Sequence, residues 1–177
     1  QSEWKNTMER QLLAVSPKAR LLSVDYGRNP KDYQSAPIKN KLFRYEIPDY
    51  ALKGKDMLCF HPMVMNNLYN QVRSYLRIDT GVKERKYGFK DACSRLVELD
   101  ETIQLPAGYK MANSDRNDNV EGCSADFEGS LAQKGNKIFL YNKLALKKRV
   151  YEASDWDNYR DAVNAHKTYG DYLVIKK

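Results

Sequence analysis

The sequence predicts a mostly β chain, an antiparallel β-sandwich with one helix at the N-terminus and one just before the last strand. Three observations predict it. Residues 41–47, 95–105 and 137–147 alternate apolar and polar side chains with the period of two that a half-buried strand requires. Lys134-Gly135-Asn136 sits between two such runs, the signature of a hairpin. The remaining apolar runs are short and closely punctuated by turns, which favours a sandwich.

In chain order, residues 3–15 read as a helix. Trp4, Met8, Leu12 and Val15 form one stripe, and Pro17 stops it. A strand follows over 20–26. Asn29-Pro30 and Ala36-Pro37 mark a loop. In 41–47, Leu42, Arg44 and Glu46 share one face, and Phe43, Tyr45 and Ile47 the other, with Pro48 closing the run. Met57 to Phe60 is a short strand stopped by Pro62. Residues 63–78 are ambiguous: Met65, Leu68, Val72, Tyr75 and Leu76 fit a helix, but Asn66, Asn67 and Asn70 weaken it.

Residues 95–105 place Val97, Leu99, Ile103 and Leu105 on one face, and Glu101 interrupts it, as at an edge or bulge. Pro106-Ala107-Gly108 turns the chain, and Tyr109 and Met111 continue on one face. Residues 113–122 are polar and read as a loop. The hairpin then sets Ala125, Phe127 and Leu131 against Ile138, Leu140, Leu144 and Leu146. Ser154, with Asp157 three residues on, reads as an N-cap. Trp156, Tyr159 and Val163 give a helix of about three turns up to His166, ended by Gly170. Residues 172–175 make the final strand. An immunoglobulin-like sandwich is the architecture expected of so many short strands.

Composition excludes several functions. No apolar run approaches the ~18 residues of a membrane helix. The net charge is +7, from 30 basic and 23 acidic residues. Its densest cluster, Lys143, Lys147, Lys148 and Arg149, has neither interleaved aromatics nor a nucleic-acid motif around it, so it reads as a solvated strand end. No signal peptide is visible. The chain opens at Gln1 rather than Met, so a processed or excised piece is expected.

No motif for chemistry stands out. Cys59, Cys93 and Cys123 are 34 and 30 residues apart, unlike the close pairs of structural zinc sites. Cys59 and His61 share a strand face, but ordinary strand residues explain them. A Cys-His-Asp site drawn from Cys93 or Cys123 with His166 lacks a Gly-rich turn or helix start to activate the thiol. The cysteines are instead expected to be small buried hydrophobes. Asp115 and Asp118 read as solvated turn residues, and there is no Gly-rich phosphate loop. No catalytic, cofactor-binding or metal-ligating residue is assigned, and no cofactor is expected. Thirteen tyrosines raise a carbohydrate-binding alternative, which would need a tyrosine row on one exposed face.

The order of segments carries a resemblance. EIPDYALKGKDMLCFHP (46–62), ERKYGF (84–89), ETIQLPAGYKM (101–111), the hairpin, KLALKKRVYEASDWDNYRDAV (143–163) and YLVIKK at the end are together similar to a known family. It is the C-terminal domain of unknown function that follows a transglutaminase-like core in exported multidomain proteins of certain Gram-negative bacteria. The resemblance covers roughly 40–177, and Leu105 to Tyr109 and Tyr151 to Tyr159 are its most specific parts. Gly88 departs from it, standing where the family usually has proline. The resemblance implies a β-sandwich with an accessory role, a periplasmic or otherwise extracytoplasmic location, and a nucleophile that belongs to the upstream core. Residues 1–39 would be a connecting helix, strand and loop, and 40–177 the sandwich domain. Expected partners are that core and a cell-envelope protein or glycan, with no nucleic acid and no membrane span. The rivals are a carbohydrate-binding module and a stand-alone thiol enzyme.

Overall fold

The computed structural model describes residues 2–25, 42–66 and 78–177. The chain is mostly β, and every strand pair is antiparallel. It divides into two compact units, Gln1–Tyr50 and Ala51–Lys177.

In the first unit, helix α1 (Ser2–Val15) packs on strand β1 (Arg20–Asp25), which pairs with β2 (Leu42–Glu46). Leu12 is the buried centre of the predicted stripe, with Met8 and Val15 partly buried; the side chain of Trp4 lies outside the described residues. In β2, Leu42, Arg44 and Glu46 are exposed and Phe43 and Tyr45 half-buried, as the alternation predicts.

The second unit holds two four-stranded sheets. The larger has the order β6 (Arg95–Gln104), β10 (Lys137–Leu146), β9 (Ala125–Lys134), β8 (Arg116–Val120). Its centre is the predicted hairpin. Gly135, at φ +60°, takes the first loop position, where a II′ hairpin turn wants glycine. All seven apolar residues expected to face each other there are buried. The smaller sheet has the order β3 (Leu52–Lys53), β4 (Met57–Phe60), β12 (Leu173–Lys176), β7 (Lys110–Met111). A two-stranded ribbon, β5 (Phe89–Lys90) with β11 (Val150–Tyr151), and a one-turn helix α2 (Met63–Asn66) complete it. The rest of the ambiguous 63–78 stretch, residues 67–77, lies outside the described residues.

Helix α3 (Trp156–Thr168) lies over β8, β9 and β10. Trp156, Tyr159, Ala162 and Val163 on its buried face join Phe127, Leu140 and Leu144 of the large sheet and Leu173 and Ile175 of the small one in a single core. Phe89 stacks on Tyr151, with ring centroids 4.7 Å apart, and meets Trp156 and Tyr159 edge-on. The Arg85 guanidinium lies 4.4 Å from the Trp156 ring centroid and 4.7 Å from that of Phe89.

Two expectations are corrected and a third is resolved. Residues 116–120 are a strand, because their polar inward side chains are absorbed by pairing: Arg116 Nε donates to Asp118 Oδ2 (2.9 Å) and its guanidinium covers the Tyr169 ring. The start of α3 is not capped by Ser154. A 3₁₀ turn (Ala153–Asp155) precedes the helix, and the capping box is formed by Glu152 and Asp155. Of the two readings of Glu101, the edge is the one found: β6 is an edge strand in unbroken register with β10. Gly88 is tightly packed: a Cβ there would lie 2.5 Å from the Tyr151 carbonyl oxygen.

Candidate functional site

The second unit concentrates polar contacts at the two ends of α3. At the N-terminal end, Asp155 is buried, and its carboxylate is shared. Oδ2 accepts the Glu152 backbone N–H (2.9 Å), while Oδ1 receives Lys148 Nζ (2.6 Å) and the Cys123 thiol (3.6 Å). The bond from Lys148 holds the Asp155 carboxyl below its ordinary value, against the opposing effect of burial. One turn on, Asn158 grips the chain entering β9. Its Oδ1 accepts the N–H groups of Ser124 (3.0 Å) and Ala125 (2.8 Å) and the Ser124 hydroxyl (2.7 Å), and its Nδ2 donates to the Ala125 carbonyl (3.0 Å).

At the C-terminal end, a cleft of about 330 Å³ opens between residues 113–116 and 168–173, over a floor of Leu131 and Leu140. Arg116 lies 4.1 Å from the Tyr169 ring centroid, bonded to Asp118 and to the Thr168 hydroxyl. Thr168 in turn donates to the Ala165 carbonyl (2.7 Å). Burial pushes the Tyr169 phenol up. Half-exposed Tyr172 forms a wall and packs against His61, with centroids 3.6 Å apart and the ring planes tilted by 34°. His61 Nδ1 bonds the Gly170 carbonyl (2.8 Å), which can only accept, so that nitrogen carries the proton. Arg116 and Thr168 thus line the cleft while bonded to one another, to Asp118 and to backbone. The arrangement suits recognition of a small group against an aromatic wall.

A shallower groove of about 420 Å³ runs along the outer face of β8, β9 and β10. Its lining is mixed in charge, with Lys147 paired to Asp126 (2.7 Å) and Glu121 accepting from Asn119 (2.9 Å).

The residues weighed for catalysis are kept apart. Cys123 meets Asp155 at one end of α3, and His166 lies at the other. His166 lies eleven positions on from Asp155, roughly 16 Å along the axis. His166 is itself in the core, with Nδ1 2.6 Å from Asn142 Oδ1. Cys93 and Cys123 are exposed and Cys59 half-buried, so the expected burial of all three thiols is wrong for two of them; all three are free. Cys93 precedes β6 and Cys123 precedes β9, in connections rather than in the core-facing rows. No group of three or more metal-ligating side chains comes together among the described residues. Asp118 is paired with Arg116, and Asp115 accepts the Gln133 backbone N–H (3.2 Å). In the basic cluster, Lys147 and Lys148 are bound to Asp126 and Asp155, which takes half its charge out of play. Tyr151, Tyr159 and Tyr169 are core residues; Tyr87 and Tyr172 are the strongly exposed ones among the described residues, and they make no row. The cleft at the end of α3 joins segments far apart in the chain, so no local spacing announced it.

No curated protein matches the sequence. A solved structure does resemble the fold: a crystal structure of a protein named a putative protease, from Parabacteroides distasonis ATCC 8503. The TM-score is 0.55 and the identity 12%, over 70% of this chain and 24% of that one. The match therefore spans about a quarter of the neighbour's length. Residues 56–171, nearly the whole second unit, match a family described as a domain of unknown function with solved structure, and the chain belongs to that family, DUF3858.

Proposed function

We propose that this chain is a non-catalytic accessory module of a larger exported protein, positioning a transglutaminase-like core that carries the nucleophile, or binding that core's protein partner. The observation that carries the reading is the proportion of the structural match: the same fold occupies about a quarter of a longer chain named a protease. The separation of Cys123 and Asp155 from His166 by the length of α3 supports it from inside the molecule. The extracytoplasmic location follows from the resemblance alone.

The test has two arms. The complete reading frame around the chain should encode an upstream core with its own Cys, His and Asp, and an export signal. The purified chain should not hydrolyse casein or transfer amine to glutamine peptides. Turnover abolished by Cys123→Ala would make the chain an enzyme and end the accessory reading.

A further inference from the structure

The sheet β3–β4–β12–β7 is apolar on both faces. Its inner face sends Leu58, Phe60, Leu173 and Ile175 to the core. On the outer face the register sets Leu52 beside Cys59 beside Val174 in one row, and Met57 beside Lys176 beside Lys110 in the next. The tilted ring pair of His61 and Tyr172 continues the same face at its other end. Leu52, Met57 and Tyr172 are 64%, 41% and 50% exposed. A sheet with one wet face alternates, whereas unbroken apolar runs mark a sheet covered on both sides. Met57-Leu58-Cys59-Phe60 and Leu173-Val174-Ile175 are such runs.

Charge points to what covers it. Lys110 and Lys176 are register partners on this face. Like charges directly opposite each other destabilise a sheet, so the pair works against folding unless an anion comes to it. Lys55 and Lys177 are exposed at the same end, with Asp56 the acid between them, and neither row itself contains an acid.

We propose that this outer face is a docking surface for a protein that lays an apolar strip over Leu52, Cys59 and Met57 and sets carboxylates against Lys110 and Lys176. The proposal rests on the reading of the chain as an interaction module. A face with one apolar row and a charged rim matches the anatomy of a protein interface, which a second layer of structure covers. A second copy of this chain fits poorly, because its own rows offer lysines and no acid.

The experiment uses the full chain with Cys93→Ser and Cys123→Ser, leaving Cys59 as a reporter in the middle of the face. The probe is a random-peptide phage library selected on the immobilised chain at low salt. The expected binders combine Asp or Glu with apolar residues. They slow alkylation of Cys59, and they lose at least about tenfold in affinity on Leu52→Glu and on Lys110→Glu/Lys176→Glu, as hot-spot changes do. Thermal melts confirm that these exposed substitutions leave the fold intact; if they do not, Leu52→Ser and Lys110→Gln/Lys176→Gln replace them. The proposal is overturned if no peptide is enriched, or if binders ignore both variants. It is also overturned if phosphatidylglycerol vesicles but no peptide protect Cys59, or if sedimentation shows a dimer that hides it. A catalytic chain would show turnover whatever binds here, so the two readings fail separately.

Discussion

Asn158 occupies the space that a side chain at position 122 would need. A Cβ built on Gly122 lies 2.2 Å from both Cγ and Nδ2 of Asn158. The amide cannot retreat, because it is pinned by its bonds to Ser124 and Ala125. The glycine and the asparagine therefore specify one junction, between the start of β9 and the first turn of α3.

Gly122→Ala should destabilise the chain by about 2–3 kcal/mol, the range of overpacking a tight site. Asn158→Ala should cost a similar amount, since it orphans the backbone donors of Ser124 and Ala125. The double variant should cost clearly less than the sum, because removing the Asn158 amide opens the space that the added methyl group needs. Urea unfolding of the four proteins measures the coupling. Additive losses would mean that the two residues do not share the site.

Trp156→Ala should cost ~3–5 kcal/mol, as for a large buried aromatic. Trp156 is 1% exposed, stacks on Tyr159 and donates its indole N–H to the Val82 carbonyl (2.9 Å). Trp156→Phe should lose less, because it keeps the ring contacts and gives up the hydrogen bond. A loss below ~1 kcal/mol for the alanine variant would contradict this packing.

The long strands were legible because one face of each meets the core, so β6, β9 and β10 carry an alternation that Glu101 and Asn142 interrupt only once each. Strand β8 was not, because its inward residues are Arg116 and Asp118, which enter as a bonded pair over Tyr169. The two-residue strands β3, β5, β7 and β11 exist through register with their neighbours and have no periodicity of their own. The helix before the last strand was found from Trp156, Tyr159 and Val163, yet its cap was misplaced. Ser154 has the right chemistry, but Asp155 is the residue turned inward toward Lys148 and the Glu152 N–H. The thiols were misjudged for a related reason: proximity to a strand does not tell which connection carries the residue back to solvent. The cleft beside Tyr169 and Tyr172 joins residues more than fifty positions apart, and only the folded chain brings them together.

The thiols should divide two to one. Cys93 and Cys123 are exposed and Cys59 is half-buried between Leu52 and Val174. Titration of the native chain with a chromogenic disulfide should consume two equivalents quickly and the third slowly, and all three quickly in denaturant. Single Cys→Ser variants assign the phases. Fast reaction of Cys59 alone would contradict the exposures.

Glu101 should give the stability curve a component opposite in sign to that of most carboxylates. Its side chain turns inward from the edge strand and accepts the N–H groups of Met63 (2.8 Å) and Val64 (3.0 Å), holding α2 to the large sheet. Burial raises its pKa above the ordinary 4.5, and the backbone bonds offset this only in part. With the folded value above the unfolded one, the folded state holds the proton more tightly. Across the window from the unfolded to the folded pKa the native chain therefore binds more protons, and stability falls as pH rises through it. Asp126 and Asp155, lowered by Lys147 and Lys148, act the other way, and their contributions are lost as pH falls. The comparison must therefore be made between wild type and Glu101→Gln, which removes one titration and leaves the others. The difference in unfolding free energy between the two proteins should shift in favour of Glu101→Gln as pH rises from about 4.5 through the folded pKa, and be flat above it. A difference that moves the opposite way would place the folded pKa of Glu101 below the unfolded one, with the two backbone bonds outweighing burial.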